Sequence, residues 1–240
     1  MVTIGYLIIA AAAFACLVWC WRAYRAQPST MLLLILIPLL GLWFDSFAVA
    51  MGRFAGEGPV LTAMTYIRFG AHWTTLPLLF IVAGMIARRA GFRWAQPKPV
   101  MALFCIAAVY FICEDVPHLW QVEFHPACYA ETLRLVTRVA PTEACTAADA
   151  GIGVRVSPAA AIGANLLLML IGFGLWWKHR FPWLALGCGT MFVAAAIPQS
   201  IVGPMLGNAG EPIFNAALIY SGIRFARPIA APTVSVAAAQ

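Results

Sequence analysis

The sequence predicts an all-α, polytopic membrane protein, a bundle of about seven transmembrane helices, and three observations carry that prediction. Of the 240 residues, 63% are hydrophobic and 10% charged, with a mean hydropathy of +0.87. Soluble domains are roughly half apolar and a quarter charged, so the solvent of this fold is lipid. The apolar runs are long and do not alternate, which in hydrocarbon means helices rather than the strands of a closed barrel. Basic residues collect in alternate short loops, and the acids fall in the others or near the span ends beside them.

Stretches of roughly 20 apolar residues fall at 3–21, 31–51, 61–87, 99–117, 158–177, 182–202 and 209–225. The first has no positive charge before it and Arg22 and Arg25 after it, which reads as an uncleaved helix rather than a signal peptide or a lipoprotein leader at Ala15–Cys16. A Gly-rich turn with Arg53 and Glu57 joins the second and third. Between the fourth and fifth lies a long loop, 118–157, with room for one short amphipathic helix around Tyr129 to Val139. The seventh opens on Gly207, Asn208, Gly210, Glu211 and Pro212, so six spans with a re-entrant segment is the alternative count. Residues 1–227 form a single domain with no repeat, and 228–240 read as a disordered cytoplasmic tail.

Orientation follows from the loops. Arg22 and Arg25, then Arg88, Arg89, Arg93 and Lys98, then Lys178 and Arg180, then Arg224 and Arg227 mark the cytoplasmic face. All nine acids fall on the opposite side or in the adjoining half of a span, which places the N-terminus outside and the C-terminus inside. A bacterial inner membrane is the expected location. The net charge of +6 is this topology signal, scattered over helix flanks, and not a nucleic-acid surface. Cys128 and Cys145 share the outer loop, where an oxidising compartment permits a disulfide; Cys113 is a rival partner, and free thiols are the remaining reading.

Ionisable side chains inside spans are costly and mark candidate function. Asp45 sits about two turns beneath the outer end of span two. Span three carries Thr65, Arg68, His72 and Thr75 at spacings of three, four and three, one helical stripe that must face the bundle interior or a wet cavity. Arg68 then needs an anion, and Asp45 or Glu57 lies at similar depth; the pair serves either chemistry or helix register. Span four ends in Tyr110, Glu114 and His118 with Asp115 beside them, a carboxylate–imidazole couple fit for proton transfer or simply a solvated helix end. Asn165, Gln199 beside Pro198, and Glu211 with Asn215 one turn on add polar groups from spans five to seven. One polar cavity opening outward accounts for all of them. Aromatics such as Trp43, Phe44, Tyr66 and Trp73 are able to stabilise a carbocation through their faces, and are also what any membrane core contains.

Several chemistries lack their parts. The four histidines do not make a three-histidine zinc site, both lysines lie in loops so that no retinal Schiff base forms on span seven, and there is no phosphate loop, Cys-x-x-Cys pair or nucleophile elbow. Neither a cofactor nor a metal is expected.

The segment Leu42-Trp-Phe-Asp-Ser-Phe-Ala-Val-Ala50 resembles span two of the integral-membrane meroterpenoid (terpene) cyclases, seven-span proteins of similar length. The resemblance covers these nine residues and the architecture; the usual Asn before the acid is absent, and Asp stands where Glu is expected. It implies that Asp45 and a second acid on the last span, Glu211, start cyclisation by protonating a lipophilic substrate. Three functions are therefore open. The first is an enzyme acting by acid/base chemistry on a lipid or isoprenoid, with Asp45, Glu211 or Glu114 as acids, Arg68 and His72 as orienting groups, and Glu57, Trp43, Tyr66, Asp115, His118, Asn165, Gln199 and Asn215 around the substrate. The others are a ligand-binding or proton-linked transport protein, and an accessory subunit docking a protein partner.

Overall fold

The computed structural model describes residues 2–198, 203 and 205–226. Gln199 and the tail 228–240, both singled out above, lie outside the described residues. The helices are α1 Val2–Ala26, α2 Thr30–Ala55, α3 Pro59–Thr75, α4 Leu78–Arg89, α5 Lys98–Asp115, α6 His118–Gln121, α7 Ala159–His179, α8 Trp183–Ala196 and α9 Met205–Arg224. Five helical stretches, Val2–Ala26, Thr30–Ala55, Pro59–Arg89, Lys98–Gln121 and Ala159–His179, are long and apolar enough to cross a membrane. α8 is apolar but shorter, with 14 residues.

The expected third span is two helices, and the reason is Pro77. Proline has no N–H to close the turn onto Trp73 and its ring crowds that carbonyl. The chain breaks after Thr75 and restarts at Leu78 through tight turns, Leu79 N–H donating to the Leu76 carbonyl and Phe80 N–H to that of Pro77. Pro117 divides the fourth span likewise into α5 and the single turn α6.

In the bundle, α1 packs on α2, α2 on α3 and α4, α4 on α7, α7 on α8, α8 on α9, and α9 back on α1 and α2, so the rods close a ring. α5 leans on the outside, chiefly against α4. The core runs through Leu32, Ile35, Leu39, Ile86, Leu168, Leu175, Leu184 and Leu218, all buried. The two ends of the ring differ in charge. At one, Lys178 Nζ donates to the Gly91 carbonyl (2.6 Å), His179 Nε2 bonds the Ala90 carbonyl (2.8 Å), and Arg89 donates to the Ala226 carbonyl.

The other end is covered by the long loop. The short helix expected around Tyr129 to Val139 is instead an antiparallel hairpin, β1 His125–Tyr129 and β2 Thr132–Val136. Thr132, Leu133, Leu135 and Val136 suit an extended strand, and the Thr132 hydroxyl closes the turn on the Tyr129 carbonyl at 2.8 Å. Cys128 on β1 is bonded to Cys145, with Cα atoms 4.9 Å apart, while Cys113 is a free, exposed thiol. A buried Arg134–Glu143 pair at 2.6 Å ties β2 to the rest of the loop. Thr3 N–H donates to Glu131, and β2 lies on α2 and α3. Gly52 permits that approach, since a Cβ there would overlap the Leu133 carbonyl.

Candidate functional site

The site forms where α2, α3 and α9 meet under the loop. On α2, Gly41, Asp45, Ala48 and Gly52 recur at helical spacing and make one face of small residues. Ala71 and Thr75 of α3 press on that face at Gly41. The close approach brings Arg68 of α3 onto Asp45, with Nε 3.0 Å from Oδ1. The Arg68 Nη2 also donates to the Leu135 carbonyl of β2 (3.3 Å), and its guanidinium lies 4.6 Å from the Phe69 ring centre. Both partners are largely buried, with side-chain exposures of 9% for Arg68 and 14% for Asp45.

The other oxygen of Asp45, Oδ2, accepts a hydrogen bond from Asn208 Nδ2 of α9 at 2.8 Å. The same amide nitrogen lies 3.5 Å from Glu211 Oε1, so Asn208 bridges two carboxylates. Glu211 is 6% exposed, and its Oε2 is buried without a hydrogen-bond partner among the described residues. Asn215, one turn on and fully buried, has neither amide atom bonded among the described residues. Native interiors seldom leave such atoms unpaired, because each costs about 1–3 kcal/mol.

His72 completes the cluster from one turn along α3. Its Nδ1 is 3.3 Å from the Arg68 carbonyl, which can only accept, so Nδ1 is the donor there; in the neutral ring this tautomer leaves the lone pair on Nε2. Asp45, His72 and Glu211 each offer an oxygen or nitrogen within 4.8 Å of the others, a group able to share a proton or to hold a cation. The remaining members of the α3 stripe stand apart from it. Thr65 and Thr75 donate to their own i−4 carbonyls at 2.8 and 2.7 Å and so satisfy themselves within the helix.

Beside the cluster is a cavity of about 190 Å³. Asp45, Arg68, His72, Phe69, Trp73 and Leu76 form one wall, Asp115 and the hydroxyl-bearing loop residues Thr137 and Ser157 another, and Ala160 and Ala161 of α7 a third. His118 stands behind Trp73, with ring centres 5.7 Å apart, and bonds the Asp115 carbonyl through Nδ1 at 3.1 Å.

Not every expected residue joins. Glu114 is exposed, one position round α5 from Asp115, and is not on the cavity wall. Glu57 is exposed in the α2–α3 turn. Trp43 faces α1 and stacks on Phe47 (5.6 Å), and Tyr66 is half-exposed against Phe124 (5.2 Å). Asn165 lies one turn beyond Ala161, with its Oδ1 buried and unbonded. Two members were not expected. Asn208 sits at i−3 from Glu211, and that spacing on one helix face was the available signal. Tyr6 of α1, packed on Val49 and Ala50 of α2, is fully buried with a hydroxyl that has no partner among the described residues, and the apolar run around it carries no signal for it.

No protein-family model matches this chain, and no curated protein matches it closely enough to identify a relative.

Proposed function

We propose that the chain is an integral membrane enzyme of seven spans, with its N-terminus and disulfide loop outside and its C-terminus inside a bacterial inner membrane. In this reading it performs acid/base chemistry, of the cyclase or isomerase type, on a lipid or isoprenoid substrate. The observation that carries it is a charge deficit: two buried carboxylates, Asp45 and Glu211, share one cation, Arg68, and that cation is committed to Asp45. A buried carboxylate without a cation is costly as an anion. Glu211 is therefore the group that holds a transferable proton, and His72, on the cavity wall beside it, carries that proton to and from substrate. Arg68 and Asn208 hold Asp45 in place, while Phe69, Trp73 and Leu76 offer apolar wall to the substrate's hydrocarbon.

The test compares lipid extracts of cells expressing the wild type and Glu211→Gln by mass spectrometry, with folding checked by monodisperse elution in mild detergent. A lipophilic product made by the wild type and missing from Glu211→Gln supports the reading; indistinguishable lipid profiles refute it. One observation favours a second reading. Asp45, Arg68 and Asn208 join α2, α3 and α9, which is how polar groups act as glue between spans of a ligand-binding or accessory protein. In that case Glu211→Gln lowers stability and changes no lipid.

A further inference from the structure

We infer that Asp45, His72 and Glu211 form a binding site for one divalent transition-metal ion of the zinc, manganese or iron type. The inference rests on the reading that these side chains are the working centre, and it moves the proton exchange from Glu211 to a water carried by the ion.

Four observations on different atoms converge. The three donor atoms lie within 4.8 Å of one another. Ligands about 2.0–2.2 Å from a shared ion stand about 3–4 Å apart, so side-chain torsions alone close the site. His72 is prepared as a ligand, because its Nδ1–H is spent on the Arg68 carbonyl and Nε2 is left to bind. A ligating histidine normally anchors its other nitrogen on a carbonyl or carboxylate in this way. Glu211 is 6% exposed and its Oε2 has no hydrogen-bond partner among the described residues, which leaves a buried lone pair available to ligate. Asn208 holds the two carboxylates together from behind, as an outer group that orients ligands does.

Charge and coordination are consistent with an ion. Arg68 against two carboxylates leaves one negative charge; a divalent cation turns that into one positive charge, which a hydroxide or an anionic substrate group in the adjoining cavity neutralises. Asp45 uses one lone pair on each oxygen for Arg68 and Asn208 and retains the others. One imidazole and two carboxylates suit zinc, manganese or iron, whereas calcium prefers six to eight oxygens. Three protein ligands leave the remaining positions open toward the cavity that Asp45, Arg68 and His72 line.

The experiment loads detergent-purified full-length protein with Zn2+ or Mn2+, removes excess ion, and measures bound metal by plasma mass spectrometry and affinity by chelator competition. The wild type is expected to hold about one ion per chain. His72→Gln and Glu211→Gln, eluting as monodisperse protein, should each weaken binding tenfold or more. Glu57→Gln and Glu114→Gln, which alter exposed acids outside the Asp45–His72–Glu211 cluster, should leave it unchanged. Substoichiometric metal in the wild type, or equal affinity in His72→Gln, overturns the inference. Lipid conversion separates the two readings: undiminished turnover by chelator-stripped protein rejects the ion's part in proton exchange and leaves the acid/base enzyme standing, whereas stoichiometric metal with no lipid product keeps the ion and rejects the enzyme.

Discussion

Replacing Arg68 by Met removes the one cation from a site with two buried acids. The guanidinium makes a 3.0 Å pair with Asp45, donates to the Leu135 carbonyl at 3.3 Å and lies against Phe69. Met restores much of the packing and none of the charge, leaving Asp45 with Asn208 as its hydrogen-bonding partner. Removing one partner of a buried pair costs about 3–5 kcal/mol, because the other charge stays uncompensated. Asp45→Asn alone should cost somewhat less, since Arg68 keeps the Leu135 carbonyl and the Phe69 ring. The double variant buries no lone charge, so its loss should fall below the sum of the singles by about 2 kcal/mol or more. The assay is equilibrium unfolding in mixed micelles, followed by tryptophan fluorescence for all four members of the cycle. An exposed pair couples by only about 0.2–1 kcal/mol. Additivity within about 0.5 kcal/mol would refute the claim that this pair is a desolvated lock between α2 and α3.

Asn208→Ala deletes the donor that bridges Asp45 and Glu211, and we expect a loss of about 1–3 kcal/mol in the same unfolding assay together with weaker metal retention. Reducing the Cys128–Cys145 bond, or replacing both residues by Ser, should lower stability by about 3 kcal/mol for a closed loop of this length and shift mobility on non-reducing gels. Gly52→Ala drives a Cβ into the Leu133 carbonyl, so the hairpin must lift at a cost of about 1–3 kcal/mol, which faster amide exchange in β2 would report. For orientation, Glu57→Cys should react with a membrane-impermeant thiol reagent on intact cells and Arg93→Cys only after permeabilisation; both positions are exposed, at opposite ends of the bundle.

How much of the site could be read in advance differs from one side chain to the next. The stripe Arg68–His72 was visible because two ionisable groups four residues apart on a span must share a face that lipid cannot satisfy. Its pairing with Asp45 was readable as one of two choices, Asp45 or Glu57, that similar depth allowed. Helix contact decided between them: the small face of α2 admits α3 at Asp45, while Glu57 sits exposed in the turn and is not on the cavity wall. Asn208 was in plain view but unassigned, since an amide at the start of a broken-looking span has many uses until its neighbours are known. Asp115 and Glu114 are adjacent in sequence, yet only Asp115 reaches the cavity, because successive residues on a helix point about 100° apart.

By itself the sequence determined the local grain of this protein. Helices as the chief elements, several of them long and apolar enough to cross a membrane, the basic residues in alternate loops and the cysteines available for pairing all follow from composition and local spacing, because apolar length and charge placement act residue by residue. Tertiary structure alone decided which acids meet. Asp45 and Glu211 are 166 positions apart and belong to one site only because α9 closes the ring onto α2, and the loop hairpin supplies Leu135 to Arg68 from a segment that shows no polar pattern of its own. Contacts between distant segments depend on packing shape, here the small face from Gly41 to Gly52, and a linear pattern of hydrophobicity does not encode that shape.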